Sequence, residues 1–182
     1  SGSARDSSIS AQKEDLVSFE QNARKPAASD SPQAYQTLLQ SLNQGEPRSP
    51  RDIVLKALND ASPAVVPALM IALSDSDPSV RAGAAQVLGM RREYQAIAAL
   101  TEATRDLNAS VRLQVVKTLS TMDAWQVLPR LEQLQVNEPN SDVRQAASAA
   151  KETSKRSMAQ GIGIPASGLR DISVTTSDLP KF

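Results

Sequence analysis

The chain has 182 residues, with 20 basic and 20 acidic side chains, no histidine and no cysteine. That length suits one domain, or one domain with tails. The composition excludes an imidazole base, a thiol nucleophile, a disulfide and a zinc site of the usual His/Cys type.

Taken in chain order, residues 1–31 are rich in Ser, Ala, Lys and Glu. The opening Ser1-Gly2-Ser3 reads as an appended stretch. Leu16, Val17 and Phe19 predict a weak helix over 11–24, within a flexible leader or an N-terminal cap. Residues 32–153 are strongly periodic. Leu38, Leu69, Leu100 and Leu131 recur every 31 residues. Val80-Arg81, Val111-Arg112 and Val143-Arg144 form a second series, with Leu58, Leu88 and Leu119 in step. Two interleaved series per period mean a unit of two helices and two turns.

The boundaries follow from local chemistry. Asp77, Asn108 and Asn140 each precede the Val of a Val-Arg pair by three residues and can accept from the free N–H groups of a first helical turn. Pro follows a capping residue at Ser31-Pro32, Ser49-Pro50, Ser62-Pro63 and Asp77-Pro78, where its missing N–H costs nothing. Gly45 and Gly89 are read as left-handed helix ends. These signals predict eight helices, at 32–43, 50–59, 63–74, 78–89, 93–105, 109–121, 125–135 and 141–153. None is long enough to be stable alone, so stacking of neighbouring pairs must supply the stability. Residues 154–182 hold Gly161, Gly163, Pro165, Gly168 and Pro180, and read as an extended or disordered tail. Gly161-Ile162-Gly163 lacks the strand and third glycine of a dinucleotide loop.

The run from Asp77 through Pro78, Ser79, Val80 and Arg81 to Leu88-Gly89 resembles the first helix of a HEAT repeat. Val65-Val66-Pro67-Ala68-Leu69 resembles the start of its second helix. The short unit is similar to the phycobilisome-lyase-type HEAT-like repeats. The resemblance covers about residues 32–153 and implies an all-α, right-handed α-solenoid of about four helix pairs. It implies that second helices line the concave face and first helices the convex one. Around Arg51 the pattern departs, with Ile53 and Val54 in place of small residues.

Several residues invite a functional reading. Arg81, Arg112 and Arg144 recur at one position and predict a ladder along the array, with Asp77, Asn108 and Asn140 as its caps. Asp75, Asp77, Asp106 and Asp142 are candidate acceptors, because a planar guanidinium fork suits a carboxylate. Asp75 and Asp77 lack the further oxygen ligands of a calcium loop, so no metal or other cofactor is expected. Trp125 is read as core filler between repeats, or as a partner anchor. Arg91 and Arg92 are read as a solvated basic pair, or as a point that sets orientation against an acidic partner.

Columns beside the Leu69 series predict a groove that grades from apolar (Leu39, Met70, Ile71) to polar (Glu102, Arg130, Gln133). Helix 63–74 is apolar nearly all round and calls for cover on both sides. The cover is either the leader or a partner helix or strand. These features point to a non-catalytic scaffold that binds a protein partner. The resemblance adds a second reading, a chaperone-like or lyase-type assembly subunit acting on pigment-carrying proteins, although a pigment pocket calls for more aromatic rings. DNA-repair relatives of this repeat type demand a basic groove, which the balanced charge does not provide, so no nucleic-acid partner is expected. No run of about 18 apolar residues is present to span a membrane.

Overall fold

The computed structural model describes Gln21, residues 31–43 and residues 50–160. Apart from Gln21, which is helical, the predicted leader helix over 11–24 lies outside these residues, as do Gly45 and the tail from Gly161 onward. The eight α-helices among the described residues are α1 (Pro32–Gln40), α2 (Pro50–Asp60), α3 (Val65–Ala72), α4 (Pro78–Met90), α5 (Ile97–Ala103), α6 (Ala109–Thr121), α7 (Leu128–Asn137) and α8 (Ser141–Ala159). They stack as an all-α solenoid. α2, α4, α6 and α8 are the first helices of successive pairs, and α1, α3, α5 and α7 are second helices.

The two leucine series meet in the core. Leu58, Leu88 and Leu119 from the first helices and Leu69, Leu100 and Leu131 from the second are fully buried. Val80, Val111 and Val143 sit beside them with almost no exposure. Each buried leucine contributes roughly 2 kcal/mol by removal from water.

From α3 onward, first and second helices begin differently. Asp77 accepts from the Ser79 N–H at 2.6 Å, and Asn108 and Asn140 accept from two N–H groups each, at 2.8–3.3 Å and 3.0–3.1 Å. These side chains satisfy donors that the first turn leaves free. α3, α5 and α7 have no side-chain cap. Two of them are entered through 3-10 turns, Tyr94–Ala96 and Trp125–Val127. Hence α3, α5 and α7 start at 65, 97 and 128 rather than at the predicted 63, 93 and 125.

Three further expectations are corrected. α8 continues past 153 to Ala159, so residues 154–159 belong to the array and not to a tail. Ser154 and Ser157 are buried along this extension, and the Ser157 hydroxyl donates to Asp123 Oδ1 at 2.8 Å. Gly89 lies inside α4 rather than at a left-handed end. The left-handed residues are Arg92 (φ 53°) and Asp123 (φ 51°), one repeat apart. The N–H of Glu93 donates to the Leu88 carbonyl and that of Arg92 to Gly89, each at 3.0 Å, closing the helix end around the left-handed residue. Gly89 is small for another reason: a Cβ there would lie 2.7 Å from Thr118 Cγ2 on α6. Trp125 is not core filler, since it remains 38% exposed in its 3-10 turn.

Candidate partner-binding face

The turns that enter the first helices are locked by charge. Arg81 donates from Nε and Nη2 to the two carboxylate oxygens of Asp106, at 2.6 and 2.8 Å. Its Nη1 donates to the carbonyls of Asp75 and Ser76, at 2.8 and 3.0 Å. Arg112 repeats the arrangement with Glu138, at 2.9 and 2.6 Å, and with the carbonyls of Asp106 and Leu107. Each arginine therefore ties its own turn to the next one.

The acids serve a second bond. Asp75, Asp106 and Glu138 accept from the N–H groups of Asp77, Asn108 and Asn140 respectively, at 2.8, 2.8 and 3.0 Å. Burial works to raise the Asp106 carboxyl, but the Arg81 fork and the Asn108 N–H outweigh it and hold the group below its usual range. The Arg112 fork and the Asn140 N–H likewise hold Glu138 low against its burial. Glu138 was not among the acids proposed from sequence. Asp77 acts as a cap, and Asp75 receives Gln40 Nε2 at 3.0 Å in place of an arginine.

Arg91 is also structural rather than solvated. Its Nη1 donates to the carbonyls of Asn59 and Ala61 at 2.6 and 2.9 Å, closing the end of α2, and its Nε pairs with Glu93 at 3.1 Å. Arg92 alone of the pair is exposed.

The second-helix face is open by comparison. Between α1 and α3 lies a cleft of about 340 Å³, with Leu39, Pro67, Ala68 and Ile71 as apolar walls and Gln36 and Gln40 at its polar edge. Ile71 is 76% exposed. A wider hollow of about 550 Å³ lies between α3 and α5, where Met70, Ala99 and Leu107 meet Glu102 and Arg105.

The six residues predicted as one groove are thus distributed. Leu39 and Ile71 share the first cleft, and Met70 and Glu102 share the second hollow. Arg130 and Gln133 lie further along, on α7, bonded to each other at 3.2 Å. Leu39 is corrected from a surface to a core residue, only 3% exposed. α1 packs on α2, α3 and α4, so two neighbouring columns of α1 are covered rather than one. Met70 is half-buried against the core, Glu102 is exposed and pairs with Arg105, and Gln133 is exposed. Arg130 is half-buried, and its Nε donates to Thr104 Oγ1 at 2.7 Å. Burial, reinforced by nearby Arg105, moves its pKa down.

Gln40 and Ala68 stand in the columns beside the Leu69 series but are not among the six predicted residues, and sequence reasoning missed Gln36 and Pro67 as lining. The signal was present as Pro32, Gln36 and Gln40, spaced by four on one stripe of α1.

From α4 to α7 the unit is thus a capped first helix, a left-handed exit, an uncapped second helix and an arginine-locked turn. Residues 66–151 match the family of HEAT repeats. The HEAT match begins within α3 and ends within α8, leaving α1 and α2 outside it. That is the stretch where Ile53 and Val54 depart from the small-residue pattern. No curated protein matches the chain. Among solved structures, human deoxyhypusine hydroxylase in complex with glycerol is similar, with a TM-score of 0.56 and 22% identity. The likeness covers 74% of this chain and 48% of that one, so this chain spans about half of that protein's length. At this identity it shows the fold alone.

Proposed function

We propose that this HEAT-repeat solenoid is a non-catalytic module that holds a protein partner on its second-helix face, seated first in the cleft between α1 and α3. The observation that carries the reading is Ile71. It stands 76% exposed on the wall of an apolar cleft, in a helix with apolar residues on nearly every side. Covering an isoleucine contributes roughly 2 kcal/mol, enough to anchor a contact. Polar and charged groups farther along, Glu102, Arg105 and Gln133, set the orientation of what binds. HEAT repeats generally mediate protein–protein interaction, which supports the same reading.

The charged groups buried at the turns support a non-catalytic role. Arg81, Asp106, Arg112 and Glu138 spend their hydrogen bonds on the ladder. The pigment-protein assembly reading is weaker, because neither cleft is lined by an aromatic ring. Among the described residues, no helix is long and apolar enough to cross a membrane.

The test is affinity capture from source cells with the wild type beside Ile71→Asp. Loss of a captured protein with unchanged circular dichroism supports the reading. An unchanged set of captured proteins removes the cleft as the binding surface.

A further inference from the structure

Among the described residues, the ladder has one acid that no arginine grips. Asp106 takes the Nε–Nη2 fork of Arg81, and Glu138 takes that of Arg112. Asp75 is the third acid of the series. Its Oδ1 accepts from the Asp77 N–H at 2.8 Å, as its two counterparts do from Asn108 and Asn140. Where they receive a guanidinium fork, Asp75 receives a single neutral donor, Gln40 Nε2, on Oδ2 at 3.0 Å. Arg51 stands 24 residues before Asp75, close to the ladder spacing. It reaches the Ser79 carbonyl instead, at 3.5 Å.

The neighbouring charges do not compensate Asp75. Arg81 lies in the field of three carboxylates, Asp106, Asp75 and Asp77, and its fork is spent on the first. Arg105, across the hollow between α3 and α5, pairs with Glu102. A carboxylate has about four lone-pair sites, so the two bonds to Asp75 leave room for further donors.

The place of this acid gives it a use. Asp75 is half-buried and, among the described residues, is the one charged group lining the cleft between α1 and α3. It follows Ile71 by four residues. The chain keeps turning past the end of α3, because the N–H groups of Ser74 and Asp75 donate to the carbonyls of Ile71 and Ala72, at 3.0 and 3.2 Å. The exposed apolar wall and the carboxylate are therefore about one helical turn apart, roughly 6 Å. An apolar cleft that ends at one uncompensated negative charge is complementary to an apolar group with a cation beside it.

We propose that the α1–α3 cleft docks an apolar peptide segment of the partner that carries an arginine, whose fork displaces Gln40 and completes on Asp75 the rung that this chain leaves open. The inference rests on the partner-binding reading above and names the chemistry of what binds. The segment lays an apolar side chain on Ile71 and its basic side chain on Asp75. Such residues lie one turn apart in a helix, or two residues apart in a strand.

Selection of a displayed library of random peptides on the full chain tests this, run in parallel on the wild type, Ile71→Asp, Asp75→Asn and Gln40→Arg. Peptides from the wild type are expected to pair an apolar residue with an arginine. Ile71→Asp should remove their binding. By fluorescence anisotropy, a selected peptide should bind Asp75→Asn and Gln40→Arg about fivefold more weakly, the first for want of the charge and the second because the rung is filled from within. Replacing the peptide's arginine by glutamine should cost as much on the wild type and nothing further on either variant. Gln40 is exposed, so Gln40→Arg decides the matter if Asp75→Asn loosens the turn. Peptides that need Ile71 but show no preference for a basic residue, or that bind both charge variants unchanged, overturn the inference and leave the cleft as a docking surface. The absence of any peptide that needs Ile71, the result expected if a second copy or another segment of this chain fills the cleft, overturns it together with the reading it rests on.

Discussion

In the first-helix layer, α4 approaches α6 so closely that Gly89 has no room for a Cβ, and Thr118 donates across the gap to the Ala85 carbonyl at 3.2 Å. In the second-helix layer, α1 and α3 part around a cleft and leave Ile71 exposed. The first layer has capped starts at α4, α6 and α8 and paired charges at its turns, while the second has uncapped starts at α3, α5 and α7 and unpaired apolar surface. The difference teaches that rigidity and recognition are assigned to separate helices of the same repeat. One layer spends its side chains on holding the array, which frees the other to present a surface.

Leu39 is the sharpest way to break that comparison, because it belongs to the open layer by sequence but to the core by burial. Leu39→Ala should cost about 3 kcal/mol in urea unfolding. A cost near zero would return Leu39 to the surface and enlarge the cleft. Next comes the ladder. Asp106→Ala leaves the Arg81 fork without its acceptor and should cost about 2 kcal/mol in the same measurement.

Acid should act on the same bonds. Asp106 and Glu138 lie below their usual range in the fold and return to about 4 on unfolding, so the unfolded chain binds protons first. Their contribution is complete above that value and is lost as pH falls through the lower folded values. The urea midpoint of the wild type should therefore drop on going from pH 7 to pH 3. The drop should be smaller in a variant carrying Asp106→Asn and Glu138→Gln.

Gly89→Ala should cost about 1 kcal/mol, because Thr118 is branched and tied by its hydrogen bond and cannot yield. Gly83→Ala meets the tip of Leu42, a side chain that can turn aside, and should cost less. The smallest stability effect belongs to Ile71→Asp, under about 0.5 kcal/mol, because its side chain is already in water. Thermal unfolding of the three variants side by side tests this order.

Much of this was legible in the sequence. The leucine periods and the caps at Asp77, Asn108 and Asn140 depend on local spacing, and local spacing is what a sequence displays. Glu138 escaped because it is a Glu where the other turns have Asp, and its interval is 32 rather than 31. Arg91 escaped because its acceptors, the last carbonyls of α2, lie 30 residues and more away and become neighbours only in the stack. Leu39 was misplaced because a helical column shows which residues share a face, but not how many helices cover it. The six groove residues separated into three places for a related reason. Columns run along the array, whereas clefts open between adjacent helices.

The most direct test of the central claim is site-specific photo-crosslinking in source cells, with the reactive residue placed at Ile71 in one variant and at Lys117 in another. Both positions are exposed, the first on the second-helix layer and the second on α6. The account predicts a discrete protein adduct from position 71 and none from 117. Adducts from 117 alone, or equally from both, would contradict it.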